Sequence, residues 1–133
     1  MSWSAFHICV KESAEALEFY QKVFDAKLLC RYDNADGTIY HSEIEAYGQI
    51  IMIAGSEENS ITGNNMSFVM SFDEGEEELV KKIYDLLKDE ANIIYPLSPC
   101  DYSPLMTNLI DKYGVHWFIL IYKKKAARGL THV

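Results

Sequence analysis

WSAFHICV at residues 3–10, followed at once by SAEALEFYQKVF at residues 13–24, is the stretch that decides how this chain folds. In the first segment Phe6, Ile8 and Val10 alternate with Ala5, His7 and Cys9, the period of a strand with two unlike faces. The second segment switches to a helical period. Ala16, Leu17, Tyr20, Val23 and Phe24 share one face, and Glu15, Glu18 and Lys22 fall outside it. Ser13 suits the N-cap and Glu15 the first turn, where the helix dipole favours an acid.

Outward from this strand-helix pair, Lys27 to Tyr32 reads as a second strand and Asn34-Ala35-Asp36-Gly37 as a turn. Ile39 to Tyr47 alternates again, Gly48 marks a tight connection, and Gln49 to Ile53 is almost continuously apolar. Gly55 through Asn65 is polar and has no period, which makes it the linker. The same order then returns. Met66 to Phe72 is a strand that opposes Phe68, Met70 and Phe72 to Ser67, Val69 and Ser71. Asp73 and Glu76 resemble a capping box, ahead of a helix that buries Leu79, Val80, Ile83, Leu86 and Leu87. Asn92 to Tyr95, Leu105 to Ile110 and Val115 to Tyr122 follow as strands. Pro96, Pro99 and Pro104 confine the loop between the first two of these to non-helical shapes. Lys123 to Val133 is a basic, mostly polar tail that is expected to fray.

The chain thus reads as βαβββ twice: an α+β protein of two tandem modules, 1–55 and 66–122, joined by a linker at 56–65 and ending in a flexible tail at 123–133. One helix covers only one face of a four-stranded sheet. The other faces need cover from each other or from a ligand, because an alternating strand left bare exposes apolar surface. A curved mixed sheet closing around a cavity meets that need. With 133 residues, a single domain spanning 1–133 is the expectation.

Twelve basic against 20 acidic residues give a net charge of −8, which repels nucleic acid from most of the surface. No N-terminal run has the apolar length of a signal peptide or a membrane span. Cys9, Cys30 and Cys100 form no paired spacing, so reduced thiols in a cytoplasmic protein are the simplest reading. There is no glycine-rich phosphate loop, nucleophile elbow or zinc-finger spacing.

Two segments carry a family resemblance. EALEFYQKVF at residues 15–24 resembles the first-helix signature of PhnB-like proteins in the glyoxalase/bleomycin-resistance/dioxygenase (vicinal oxygen chelate) superfamily, and DKYGVHW at 111–117 resembles the motif before their last strand. Ile39-Tyr40-His41-Ser42-Glu43 is a weaker match to their histidine-bearing third strand. The motifs make physical sense as fold determinants. Gly114 stands where the chain turns sharply into the final strand, and Trp117 lies with Val115, Ile119 and Ile121 as an apolar anchor against a helix. Asp25 replaces the family's glycine after the first helix, and Asp101-Tyr102 replaces its Phe-Trp.

The resemblance implies a metal held by His, Gln or Glu from the first and fourth strands of each module, as in glyoxalase I and the extradiol dioxygenases. Those positions fall near Ala5, Ile53 or Ala54, Ser67 and Phe118, which offer little that binds a cation. No metal site is therefore expected, and a divalent cation has a place only if a displaced His/Glu set exists. Alternation puts His7, Cys9 and His116 on the same side as those positions, and His41 and Glu43 share one face of the third strand. Glu43 orienting the His41 imidazole is the arrangement expected for acid/base catalysis, whereas strand histidines as hydrogen-bonded lining are the plainer reading.

The function expected is a metal-free binder of a small organic molecule, lined by His7, Cys9, Ser67, His116, Phe118 and Tyr102, with His41 and Glu43 as the catalytic candidates if chemistry occurs. One alternative is an enzyme of the lyase, isomerase or dioxygenase kind, using a displaced metal or the His41–Glu43 pair. Another is a regulatory domain whose cavity is filled by its own side chains. The resemblance further implies a homodimer.

Overall fold

The computed structural model describes residues 1–122, so the expected frayed tail lies outside the described residues. Contacts divide the chain into two compact units, with the break after Thr62.

In the first unit the order is β1 (Phe6–Val10), α1 (Ser13–Phe24), β2 (Lys27–Asp33), β3 (Ile39–Ala46) and β4 (Gln49–Gly55). The four strands form one sheet in the order β1-β4-β3-β2, with β1 parallel to β4 and the other pairs antiparallel. Helix α1 packs on β1, β3 and β4, and its buried face is Ser13, Ala16, Leu17, Tyr20, Val23 and Phe24. Ile8, Val10, Ile44, Ile51 and Ile53 complete this core. The apolar period at the start of the chain thus has its expected consequence.

Ser13 does not act as the N-cap. Its hydroxyl accepts the Ile39 N–H at 2.9 Å, tying the start of the helix to the start of β3, while Glu12 occupies the cap without a side-chain bond. Asp25 ends the helix at φ 49° and gives the cap N–H to the carbonyls of Gln21 and Lys22, the left-handed exit that a glycine more often supplies. Tyr47 and Gly48, at φ 54° and 83°, form the two-residue link between β3 and β4. Both angles are positive, as the tight turns that match strand twist require.

The second unit repeats the order with β5 (Phe68–Asp73), α2 (Glu77–Leu87), β6 (Asn92–Cys100), β7 (Ser103–Ile110) and β8 (His116–Tyr122), in the sheet β5-β8-β7-β6. The Glu76 carboxylate accepts the Asp73 N–H at 3.0 Å, but Glu76 is itself the cap and the helix starts only at Glu77, so the pair closes the turn ahead of the helix instead of forming the expected capping box. Strand β6 runs through Pro96 and Pro99 to Cys100, and β7 takes in Pro104, so the segment expected to be a loop is a hairpin turning at Asp101 and Tyr102. Proline fits there because β6 is an edge strand, and its register shifts between Tyr95 and Ser98 and again between Ser98 and Cys100.

The DKYGVHW segment is a structural knot. Asp111, only 4% exposed, accepts the N–H groups of Tyr113 and Val115 at one carboxylate oxygen and the Trp117 indole N–H, at 2.8 Å, at the other. Gly114 sits at φ 88° within that loop, and Trp117 is fully buried against Phe68 with ring centroids 5.4 Å apart. A buried carboxylate is tolerable only when donors converge on it, and here three do.

Candidate functional site

Each sheet keeps one face away from its helix. In the first unit the helix side of β3 is Ser42, Ile44 and Ala46, all buried, which leaves His41, Glu43 and Glu45 on the other side. On β1 the buried Ile8 and Val10 likewise leave His7 and Cys9 on the helix-free face. Register then lines up His7 of β1, Met52 of β4, Glu43 of β3 and Cys30 of β2 as one row across the sheet. In the next row Cys9 pairs with Ala54, and His41 pairs with Tyr32.

His41 and Glu43 meet. The imidazole Nε2 lies 2.7 Å from a Glu43 carboxylate oxygen, with 29% and 26% of the two side chains exposed. Tyr32 stacks on the imidazole at 6.4 Å between centroids, which limits how the ring can turn. Cys30 joins them: one donor atom from each of Cys30, His41 and Glu43 lies within 4.8 Å of the others. Burial first, and then the negative charge of Glu43, push the Cys30 thiol above its ordinary range.

Sequence alternation does not reveal Cys30, because a bulge puts it there. Leu28 pairs with Ile44, but Cys30 pairs with Glu43, so Leu29 is an extra residue that moves Cys30 to the face opposite the one regular alternation from Leu28 would give it.

His7 and Cys9 are neighbours on the exposed face of β1, with the Cys9 sulfur 3.7 Å from His7 Nε2. Burial, and after it Glu57, raise that thiol, so it is not poised as a thiolate nucleophile. In the second unit His116 has both ring nitrogens engaged, one with the Asn64 carbonyl at 2.7 Å and one with the Asn108 side-chain oxygen at 2.5 Å. Phe118 meets Tyr102, exposed at the β6–β7 turn, edge to face at 6.5 Å. Ser67 stands half-buried just ahead of β5. The candidates thus fall into one group on each sheet, and only the first group brings ionisable donors together.

At the positions where the resemblance places chelating groups, this chain's side chains are the methyls of Ala5 and Ala54, the Ser67 hydroxyl and the Phe118 ring. On β4 it is Ala54, aligned with Cys9, that shares the helix-free face, while Ile53 is fully buried on the helix side. Such a donor set does not fit a divalent cation.

A family model for the Glyoxalase/Bleomycin resistance protein/Dioxygenase superfamily matches residues 4–119. The chain belongs to that superfamily. Among solved structures it is similar to a putative 3-demethylubiquinone-9 3-methyltransferase, PhnB protein, from Bacillus cereus, at 26% identity and TM-score 0.75, covering 91% of this chain and 99% of that one. Protein PA1353 from Pseudomonas aeruginosa shares the fold at TM-score 0.75 and 14% identity, over 92% of this chain and 98% of that one. The fosfomycin resistance protein FosX from Listeria monocytogenes, solved with Mn(II) and sulfate, shares it at TM-score 0.70 and 14% identity, over 99% of both chains. No curated protein matches the sequence. The tandem βαβββ superfamily member read from periodicity and motifs is therefore what the chain is. Among the described residues no helix is long and apolar enough to cross a membrane.

Proposed function

We propose that this superfamily member binds a small organic molecule against the helix-free face of its first sheet, with the His41–Glu43 pair as the polar group that orients it. The observation that carries the reading is that pair: half-buried, held at 2.7 Å and flanked by the Tyr32 ring on the helix-free face of the sheet. Sites of this kind combine an apolar or aromatic wall with a few fixed polar groups. In the same reading His7 and Cys9 are lining residues of the first unit, and Ser67, His116, Phe118 and Tyr102 of the second. No step runs through a metal at the superfamily's usual positions, since the donors there do not suit one.

The test is a thermal-shift screen of the full chain against a metabolite and antibiotic panel, repeated with His41→Ala. A ligand at 100-fold its dissociation constant stabilises by about 2.7 kcal/mol. The variant is expected to lose most of that shift; a ligand that stabilises both proteins equally, or a panel with no hit, counts against the reading. A second reading, acid/base chemistry at the same pair, is favoured by the short imidazole–carboxylate contact. It predicts that Glu43→Gln keeps ligand binding and loses turnover. A homodimer belongs to the proposal too, supported by exposed Leu28, Leu29 and Tyr32 on edge strand β2 and by Ile93, Ile94 and Tyr95 on edge strand β6. Sedimentation at micromolar concentration checks it, and a monomer there removes it.

A further inference from the structure

We infer that Cys30, His41 and Glu43 form a binding site for a soft or borderline divalent cation of the zinc or cobalt kind, displaced from the positions at which the superfamily resemblance places chelation. The inference uses the same sheet face as the proposed function but does not depend on an organic ligand.

Three features support it. The first is the donor chemistry: a thiolate, an imidazole and a carboxylate are the ligand types that such ions select, and hard cations such as magnesium avoid the sulfur. The second is proximity. The three donor atoms already lie within 4.8 Å of one another. Bond lengths of about 2.0–2.3 Å in a tetrahedral site put ligand atoms roughly 3.3–3.8 Å apart, so side-chain adjustment alone can close the set. The His41–Glu43 contact, 2.7 Å at present, then has to open by roughly 0.6 Å or more to reach that ligand spacing. Three protein ligands leave a fourth position for water or substrate, the pattern of catalytic rather than structural zinc.

The third feature is how the backbone holds them. The donors come from neighbouring antiparallel strands in a fixed register, Cys30 opposite Glu43 and Tyr32 opposite His41. The extra residue at Leu29 is what brings the sulfur to this face, and bulges commonly re-aim side chains at functional sites. When a cation binds, the Cys30 S–H proton leaves to solvent as the sulfur–metal bond forms, and the ion offsets the two negative ligands.

The experiment is a cobalt(II) titration of the chelator-treated full chain, followed by absorption. The expected result is saturation at one equivalent, with a thiolate-to-cobalt charge-transfer band in the near ultraviolet that Cys30→Ser abolishes and Cys9→Ser and Cys100→Ser retain. His41→Ala should weaken binding by more than about tenfold. In the unmutated protein, zinc should protect Cys30, and not Cys9, from alkylation mapped by peptide mass, which keeps the test valid should a variant fold poorly. No saturable band, a band that survives Cys30→Ser, or unchanged Cys30 alkylation under saturating zinc overturns the site. A failed metabolite screen beside a positive titration removes only the organic-ligand proposal, and a hit without cobalt binding removes only this one.

Discussion

The two sheets carry the same architecture and opposite chemistry on their helix-free faces. His41 in the first meets a carboxylate and a thiol, all half-buried and all able to change charge. His116 in the second is clamped between a backbone carbonyl and the Asn108 side-chain amide, neutral partners that use both ring nitrogens. A histidine held on both sides is a structural strut; one paired on a single side with an anion can still bind or move a proton. The repeated architecture therefore does not carry a repeated chemistry, and a histidine's partners, more than its place on a helix-free face, distinguish the two roles.

The largest effect that sharpens this contrast belongs to the second unit. Asp111→Ala strands the N–H groups of Tyr113, Val115 and the buried Trp117, and should cost about 3–5 kcal/mol in urea unfolding, from roughly 1–3 kcal/mol for each donor left unpaired. His116→Ala comes next, at about 1–2 kcal/mol for the lost hydrogen bonds, with cobalt binding unchanged. His41→Ala should cost under about 1 kcal/mol, because its ion pair is partly solvated, while ligand and metal binding fall away. Equal stability losses for the two histidine variants would break the comparison.

The smallest effect is at the β2–β3 turn. Hydrogen bonds from the Thr38 hydroxyl and, after it, the Thr38 N–H hold the Asp36 carboxyl below its ordinary range. A carboxyl depressed in the folded state stabilises above the unfolded-state value, and that contribution disappears as pH falls through the folded one. Asp36→Asn should therefore slightly flatten the acid limb of a stability-versus-pH curve, read from urea midpoints. An unchanged acid limb would show that the turn does not depend on this carboxylate.

The superfamily fold was legible in the sequence because burial on one face imposes a period, and the faces of β1, α1, β3 and β5 follow their apolar residues. The hairpin of β6 and β7 was not, since prolines that suit a solvent-facing edge with shifted register look the same in sequence as prolines in a loop.

For the candidate site, the residues two apart on β3 were enough to put His41 and Glu43 on one face, because alternation is local. Two things needed the tertiary structure. The partners of His116 come from the linker and from β7, and no local period encodes such contacts. The arrival of Cys30 depends on one surplus residue in β2, and a single bulge reverses every face assignment beyond it. Periodicity determines which residues hide from water, whereas strand register decides which polar atoms meet.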